Sequence, residues 1–259
     1  MYSFLFKPKW IGFHLLCVGA IVAMVNLGLW QLDRLDEKQT FNDRVTAHDA
    51  AEPVPLTAQL LTGEPNDLIF RRVEAVGSYL PSPQFEMVNV TQDSTTGRNV
   101  VNAFQLSDGS LVLVNRGFVP TGSAVPAPPT GEVALLARLK AGQTARTGQP
   151  RDDGSAELTE IRRVDLAALA QQFDQPIAPM FLELLQSTPA EPTAVSPVAS
   201  PDLSEGPHLS YTIQWFIFTI CVAVGWVFAV RKSVRDRSGK APKGPSKFKA
   251  VERYDPSAS

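Results

Sequence analysis

One stretch near the C-terminal end of this 259-residue chain carries the side chains best suited to chemistry. His208, Tyr211, Trp215, Phe218 and Val222 follow 3-4-3-4 spacing, which places them on one face of a helix. A neutral imidazole is a common ligand of metals and of haem iron, and an aromatic wall suits a planar macrocycle. The same pattern is typical of an interfacial aromatic belt with a solvated histidine, so the spacing leaves both interpretations open.

Two uncharged apolar stretches, residues 11–32 and 211–230, must position that face. At about 1.5 Å per residue, each stretch can cross the roughly 30 Å hydrocarbon core of a bilayer, so we predict two transmembrane helices. Trp30, Gln31 and Arg34 end the first stretch. In an antiparallel pair they lie level with the histidine face, where the arginine is placed to pair with a haem propionate.

Charge is unevenly divided along the chain. Residues 33–210 carry 13 Lys and Arg against 23 Asp and Glu, residues 231–259 carry 9 against 3, and residues 1–32 carry only Lys7 and Lys9. Because basic flanks stay on the cytoplasmic side, we predict a multi-pass protein of the bacterial plasma membrane with both termini cytoplasmic. The central domain is then extracytoplasmic, and the basic tail faces anionic membrane lipid.

These patterns predict an integral membrane α+β protein, in which a two-helix antiparallel transmembrane hairpin carries a mainly-β extracytoplasmic domain. The strand signals cover residues 69–79, 85–91, 100–106, 111–119, 133–139 and 180–186, with a short helix over 166–173, and favour a small barrel or sandwich. The predicted segments are a cytoplasmic N-terminus (1–10), transmembrane helix 1 (11–32), the extracytoplasmic domain (33–186), a Pro-rich linker (187–207), transmembrane helix 2 (208–230) and a basic cytoplasmic tail (231–259).

The sequence gives little support for an enzyme. It contains no Gly-rich phosphate-binding loop, and no G-x-S-x-G motif accompanies the histidines. Cys17 and Cys221 both lie in the apolar stretches, which excludes a thiol nucleophile or a Cys-ligated zinc in residues 33–210. We interpret the paired carboxylates Asp152 and Asp153 as a surface turn. For His14, inside the first stretch, snorkelling or a helix–helix hydrogen bond is favoured over ligation. Nothing in the chain indicates nucleic-acid binding.

Four short blocks, occurring in order along the chain, resemble those of the Surfeit locus protein 1 family. They resemble its G-x-W-Q-x-x-R, R-R-V-x-x-x-G, V-N-R-G-W-V-P and H-L-x-Y-x-x-x-W patterns, with Phe118 in place of the Trp of the third. Here they read Gly28-Leu29-Trp30-Gln31-Leu32-Asp33-Arg34, then Arg71-Arg72-Val73 with Gly77, then Leu113-Val114-Asn115-Arg116-Gly117-Phe118-Val119-Pro120, and His208-Leu209-Ser210-Tyr211 with Gln214-Trp215.

The resemblance implies a non-catalytic, two-span factor that helps to build aa3-type cytochrome c oxidase. Some bacterial members of that family are held to bind haem a, with a His at the start of the second span as the iron ligand, and His208 occupies that position. Gln31, Gln214 and Arg116 are the residues predicted to contact partner subunits of the oxidase. The alternative is a permanent accessory subunit that holds neighbouring subunits of a respiratory complex or supercomplex together.

Overall fold

The computed structural model describes residues 3–57, 59–62 and 65–238, which form two compact units. One unit contains the chain up to Lys38 together with the chain from Glu205 onward, and the other runs from Gln39 to Ser204. In chain order the elements are α1 (Pro8–Ala50), β1 (Val54–Pro55), α2 (Pro65–Leu68), β2 (Arg72–Gln92), β3 (Thr95–Leu106), β4 (Leu111–Pro120), β5 (Val133–Ala141), β6 (Glu160–Ile161), α3 (Leu166–Leu169), β7 (Met180–Thr188) and α4 (His208–Ser238).

Helices α1 and α4 are long and apolar enough to cross a membrane, and the apolar part of each is largely unburied. An exposed apolar surface of this length is typical of membrane-spanning helices. The fold class is therefore the predicted membrane α+β. Residues 239–259, most of the predicted basic tail, lie outside the described residues, as do residues 1 and 2 of the predicted cytoplasmic N-terminus.

The Gln39–Ser204 unit is built on a five-stranded barrel in the order β2-β3-β4-β7-β5, which the β2–β5 pairing closes. All these neighbours are antiparallel except β4 and β7, which pair in parallel at Val114–Leu182 and Asn115–Glu183. Five-stranded Greek-key barrels of this kind include the OB-folds. Closure removes the sheet edges that a sandwich would leave, so of the two predicted architectures the structure selects the barrel.

Alternation along the strands divides the core into two layers. One buried cluster draws on all five barrel strands and includes Val73, Phe104, Val114, Leu139 and Leu182. The second cluster covers the other face of β3 and β4 and is completed by β6 and α3. Strand β4 is therefore buried on both faces over nearly its whole length.

The two strands predicted at residues 69–79 and 85–91 are one strand, β2. Its register against β3 shifts between Tyr79 and Gln84, where Pro81 and Pro83 lie. Proline cannot donate a ladder hydrogen bond, but a bulge absorbs the missing donors and bends the strand without ending it. One half of β2 consequently pairs with β5 and the other with β6.

Residues 189–204, most of the predicted Pro-rich linker, lie along the barrel surface, and we call them the strap. Val195 of the strap is buried, and Ser196 exchanges two backbone hydrogen bonds with Phe118 of β4. Side chains distant in sequence bind the rest, through the contacts Gln92 to Pro197 and Ala199, Asn42 to Leu203, and Arg138 to Ser200. The proline-rich composition predicts an extended chain, whereas the strap contains a turn in which the Val195 amide donates to the Pro192 carbonyl, and the composition does not reveal these anchors.

Arg116 in β4 is a further side chain that anchors the strap to the barrel. Its side chain is 0% exposed and lies 2.7 Å from the carboxylate of Glu191 in the strap. All five of its N–H groups donate, to Glu191 (twice), Asn102, Pro126 and Ala127. A buried guanidinium is tolerated because every donor is satisfied, so this residue joins β3, the loop after β4 and the strap.

Tyr79 completes the surroundings of this ion pair. Its ring lies 5.7 Å from the Arg116 guanidinium. Burial raises the pKa of the Tyr79 phenol well above its usual range and the negative charge of Glu191 adds to this, whereas the positive charge of Arg116 acts in the opposite direction. The phenol therefore stays neutral at physiological pH, and it adds no further charge to the buried pair.

Replacing Glu191 tests whether its ion pair with Arg116 holds the strap against the barrel. We expect Glu191→Ala to lower the free energy of unfolding by about 3–5 kcal/mol, because it leaves a buried guanidinium without its counter-charge. The measurement is chemical denaturation of the full-length protein in detergent. Glu86→Ala is the matched control, because the Glu86 and Arg98 side chains of that pair are 28% and 27% exposed and such pairs contribute about 0–1 kcal/mol. Equal losses in the two variants would show that the strap is not held by this charge pair.

Candidate functional site

The two long helices pack against each other through stripes with a period of 3.5 residues. Among the less exposed residues of α1, one stripe is formed by His14, Cys17, Ile21, Met24, Gly28, Gln31, Leu35 and Lys38. On α4 the corresponding stripe is formed by His208, Thr212, Trp215, Thr219, Val222, Trp226, Ala229 and Ser233, with Phe216 beside it. Alternating steps of three and four residues are the pattern of a left-handed coiled coil.

Contacts along this helix pair establish its direction. Gln31 contacts His208 at one end, and His14 contacts Trp226 at the other. Between them, a Cβ placed on Gly28 would lie 3.2 Å from the Phe216 ring, so the absence of a side chain there sets how closely the helices approach. The predicted antiparallel hairpin is therefore confirmed.

His208 begins α4 and is the chemically distinctive residue of the pair. Its Nδ1 lies 2.8 Å from Oε1 of Gln31, and its ring is half-buried. Within the described residues, its Nε2 takes part in no hydrogen bond. The chain turns sharply into the helix at this point, because Gly206 has a φ of +68° and the Tyr211 amide donates to the Pro207 carbonyl. The backbone and Gln31 together fix where the imidazole points.

The aromatic face predicted around His208 is divided by the packing. Trp215 lies in the stripe that faces α1, whereas Tyr211 is 47% exposed and points away from it, as does Phe218. Thr212 takes the buried position in place of Tyr211, and its hydroxyl donates to the His208 carbonyl. Both sets of positions satisfy 3-4 spacing, and close helix approach selects the smaller side chain.

Trp30 and Arg34 follow on the outer surface of α1. Trp30 is 48% exposed, and the Arg34 guanidinium lies 5.7 Å from its ring centroid. Arg34 also forms an exposed ion pair of 2.6 Å with Glu37. Because exposed pairs of this kind are weak, an incoming anion can replace the glutamate at little cost.

The three residues predicted to contact partners lie in different surroundings. Gln31 is engaged with His208 inside the helix pair, and Gln214 is exposed on α4. Arg116 is enclosed in the barrel with every donor used, and its contact with a partner stays a prediction. From sequence alone, a V-N-R-G block is compatible both with a surface motif and with a buried anchor. The position of the strap distinguishes the two.

His14 lies near the other end of the pair and forms the predicted helix–helix bond. The Trp226 indole Nε1–H donates to its Nδ1 at 2.8 Å. The rings of Trp10 and Phe13 pack around it, at 5.7 and 6.1 Å from its centroid. Sequence reasoning missed Trp226 as the donor, and aligning the two 3.5-residue stripes antiparallel would have found it.

Outside the helix pair, the carboxylates singled out in the sequence form local structure. Asp152 pairs with Arg162 at 2.7 Å. Asp153 accepts hydrogen bonds from the hydroxyl and amide of Ser155, which hold the pKa of its carboxyl below the usual range. Asp153 therefore forms the predicted surface turn, whereas the Asp152 side chain is only 4% exposed and is held by Arg162.

The single imidazole nitrogen available at His208 suits a metal group that needs only one ligand from the protein. Among the described residues, no three His, Cys, Asp or Glu side chains cluster to hold a bare ion. A haem supplies four nitrogen ligands itself and needs only an axial one from the protein, such as an imidazole nitrogen with a free lone pair. The surroundings of His208 fit this requirement.

Comparison with known proteins identifies the chain's relatives. The sequence profile of the SURF1 family matches residues 18–220, which take in the barrel, most of α1 and the start of α4. The chain belongs to the SURF1 family. An uncharacterized SURF1-like protein of Mycobacterium bovis is 29% identical over 265 residues, covering 97% of this chain and 95% of that protein. Surfeit locus protein 1 of Xenopus tropicalis is 26% identical, covering 83% and 73%, and that of Rattus norvegicus is 26% identical, covering 82% and 73%.

The SURF1-like blocks of the sequence coincide with positions that hold the structure together. The first and last meet at Gln31 and His208 in the helix pair. In the second, the Arg72 guanidinium donates to the Asp49 carbonyl at the C-terminal end of α1. The third contains Arg116. These blocks therefore account for the register of the helix pair and, within the Gln39–Ser204 unit, for contacts that hold Asp49 and the strap to the barrel.

The approach of the two helices predicts the effect of enlarging Gly28. We expect Gly28→Leu to lower the free energy of unfolding by about 1–3 kcal/mol, because the added atoms overlap the Phe216 ring and overpack the interface. Gly19→Leu is the control, since a Cβ at Gly19 meets nothing within 4 Å. Denaturation in detergent measures both, and a variant at Gly28 as stable as the one at Gly19 would contradict this packing.

Proposed function

We propose that this protein is a non-catalytic membrane factor in the biogenesis of aa3-type cytochrome c oxidase and that it binds haem a at His208. The observation that carries the haem site is the His208 ring, which is held through Nδ1 and whose Nε2 forms no hydrogen bond with any residue that the structure describes. Membership of the SURF1 family supports the link to the oxidase, because the resemblance of the sequence blocks implies that role.

Each residue around His208 has a defined part in this proposal. His208 would hold the haem iron through Nε2, and the exposed rings of Trp30 and Tyr211 would offer apolar surface to the macrocycle. Arg34, on the outer surface beside Trp30, is available to a propionate through a charge-assisted hydrogen bond. When bound, the haem supplies the redox centre that the oxidase requires, and the chain only holds it.

Charge supports a definite topology for the helix pair. Lys7 and Lys9 precede the apolar part of α1, and α4 ends in Arg231, Lys232, Arg235 and Arg237. The antiparallel packing brings these two basic ends together, as the cation–π contact of 4.1 Å between Arg237 and Phe4 illustrates. Both termini are proposed to be cytoplasmic in the plasma membrane and in contact with anionic lipid, with the barrel domain outside.

Reporter fusions test this topology. We expect alkaline phosphatase fused after Ser204, beyond the strap, to be active, because the enzyme folds only outside the cytoplasm. The same reporter fused after Ser238, beyond the basic end of α4, is expected to be inactive, whereas a fluorescent protein there should be fluorescent. The opposite pattern at the two positions would refute the proposed orientation.

Substitution of His208 tests the haem site. In protein purified from a host that makes haem a, we expect His208→Ala to remove or shift the Soret band while insertion into the membrane is unchanged. Trp30→Ala and Arg34→Ala should weaken haem retention more mildly, because each removes only part of the surroundings. His14→Ala is the matched control, since it truncates the other histidine of the same helix pair.

The outcomes separate this proposal from its rival. A haem spectrum that is unaltered in His208→Ala would defeat the ligand assignment. If the wild-type protein carried no haem but co-purified stoichiometrically with mature oxidase, the role of a permanent accessory subunit of the respiratory complex or supercomplex would replace that of an assembly factor.

A further inference from the structure

The three histidines of the chain differ in which ring nitrogen carries the proton. The Nδ1 atom of His48 lies 2.7 Å from the Ile69 carbonyl oxygen, which can only accept, so this nitrogen is protonated. The Nδ1 atom of His14 faces the Trp226 indole N–H, which can only donate. Neutral His14 therefore carries its proton on Nε2, the opposite tautomer to that of His48.

We infer that Gln31 is a positioning residue that holds His208 in the Nδ1–H tautomer and so keeps its Nε2 lone pair free for a ligand. The partner of Nδ1 is Oε1 of Gln31, an amide oxygen, which can only accept. His208 must then donate from Nδ1. The Gln31 side chain reaches it from the other helix, so the tautomer depends on the register of the helix pair.

The same bond has a second effect on ligation. A metal-bound imidazole usually donates its other N–H to an acceptor, which fixes the ring orientation and makes the ligating nitrogen more basic. Gln31 supplies that acceptor before any metal arrives. His14 is in the reverse state, because Trp226 occupies its Nδ1 and its Nε2 carries the proton. The two histidines of the pair are thus distinguished by their hydrogen-bond partners.

The consequence for haem rests on the proposed function, whereas the tautomer itself does not. If His208 ligates haem a, losing the Gln31 acceptor should weaken haem binding by about 10- to 100-fold, the usual effect of removing the hydrogen-bond partner of a ligating histidine. A carboxylate at position 31 keeps an acceptor in place, so Gln31→Glu should retain binding.

Nitrogen NMR of the haem-free, full-length protein in lipid nanodiscs tests the tautomer directly. With ¹⁵N-labelled histidine, His48 serves as the internal standard for Nδ1–H and His14 as the standard for Nε2–H. Single His→Gln variants assign the three signals. We expect His208 to match His48 in the wild type and in Gln31→Glu, and to become a mixture of tautomers in Gln31→Leu. A wild-type His208 that matches His14 overturns the inference.

A general loss of helix packing is distinguished within the same experiment. The His14 signal reports on the Trp226 contact at the other end of the pair, so it should be unchanged in Gln31→Leu. Asn26→Leu is the matched control, because Asn26 is an exposed amide on the same helix that bonds only to the Val22 carbonyl. If Asn26→Leu altered the His208 signal equally, Gln31 would have no special role.

Haem titration of the same variants separates the two levels of the argument. Wild-type protein that binds no haem a, but shows the Nδ1–H tautomer at His208, refutes the proposed haem site and leaves the tautomer assignment standing. Wild type and Gln31→Leu that bind haem a with equal affinity would instead refute the positioning role of Gln31 while the haem site stands.

Discussion

Close approach of α1 and α4 is the constraint on which the candidate site depends. In a bilayer, two apolar helix faces gain little from being hidden from lipid, so packing and polar contacts must set their register. Gly28 admits the Phe216 ring, and two interhelical hydrogen bonds, His14 to Trp226 and His208 to Gln31, lie on either side of this contact. On α1 these bonds are 17 residues, or about 25 Å, apart. A one-residue slip would break both bonds.

The barrel unit also depends on polar contacts to fix one arrangement of its parts, although its solvent is water rather than lipid. Contacts between its apolar layers have no preferred direction. The Arg116 guanidinium, by contrast, allows only one arrangement of the strap, because each N–H requires an oxygen in a fixed direction. Replacing such a pair by apolar side chains can leave stability unchanged, so the pair's main contribution is to the uniqueness of the structure. The parallel pairing of β4 and β7 is short, and the strap pairs with β4 beyond it.

Sequence reasoning found those features that depend on local pattern. Uncharged length predicts both spans, alternation predicts most strands of the barrel, and Leu106 and Leu111 around an Asp-Gly turn predict the β3–β4 hairpin, which is present. It could not choose between Tyr211 and Thr212 for the buried stripe, because the choice depends on the distance between helices. It also did not reveal that Arg116 is buried, since its partner Glu191 is 75 residues away in a segment with linker composition.

A histidine lies near each end of the helix pair, and the two histidines are in opposite tautomers. This difference limits which of them can ligate a metal. At one end, an indole N–H occupies His14 and aromatic rings surround it, so ligation there would require breaking an existing bond. At the other end, Gln31 accepts from His208, and the second nitrogen of that ring has no hydrogen-bond partner in the described part of the chain. Under the proposed function, one protein ligand and half-exposed aromatic rings would hold haem less firmly than an enclosed pocket. Such a site suits a cofactor that is passed on, because release requires no opening of the fold.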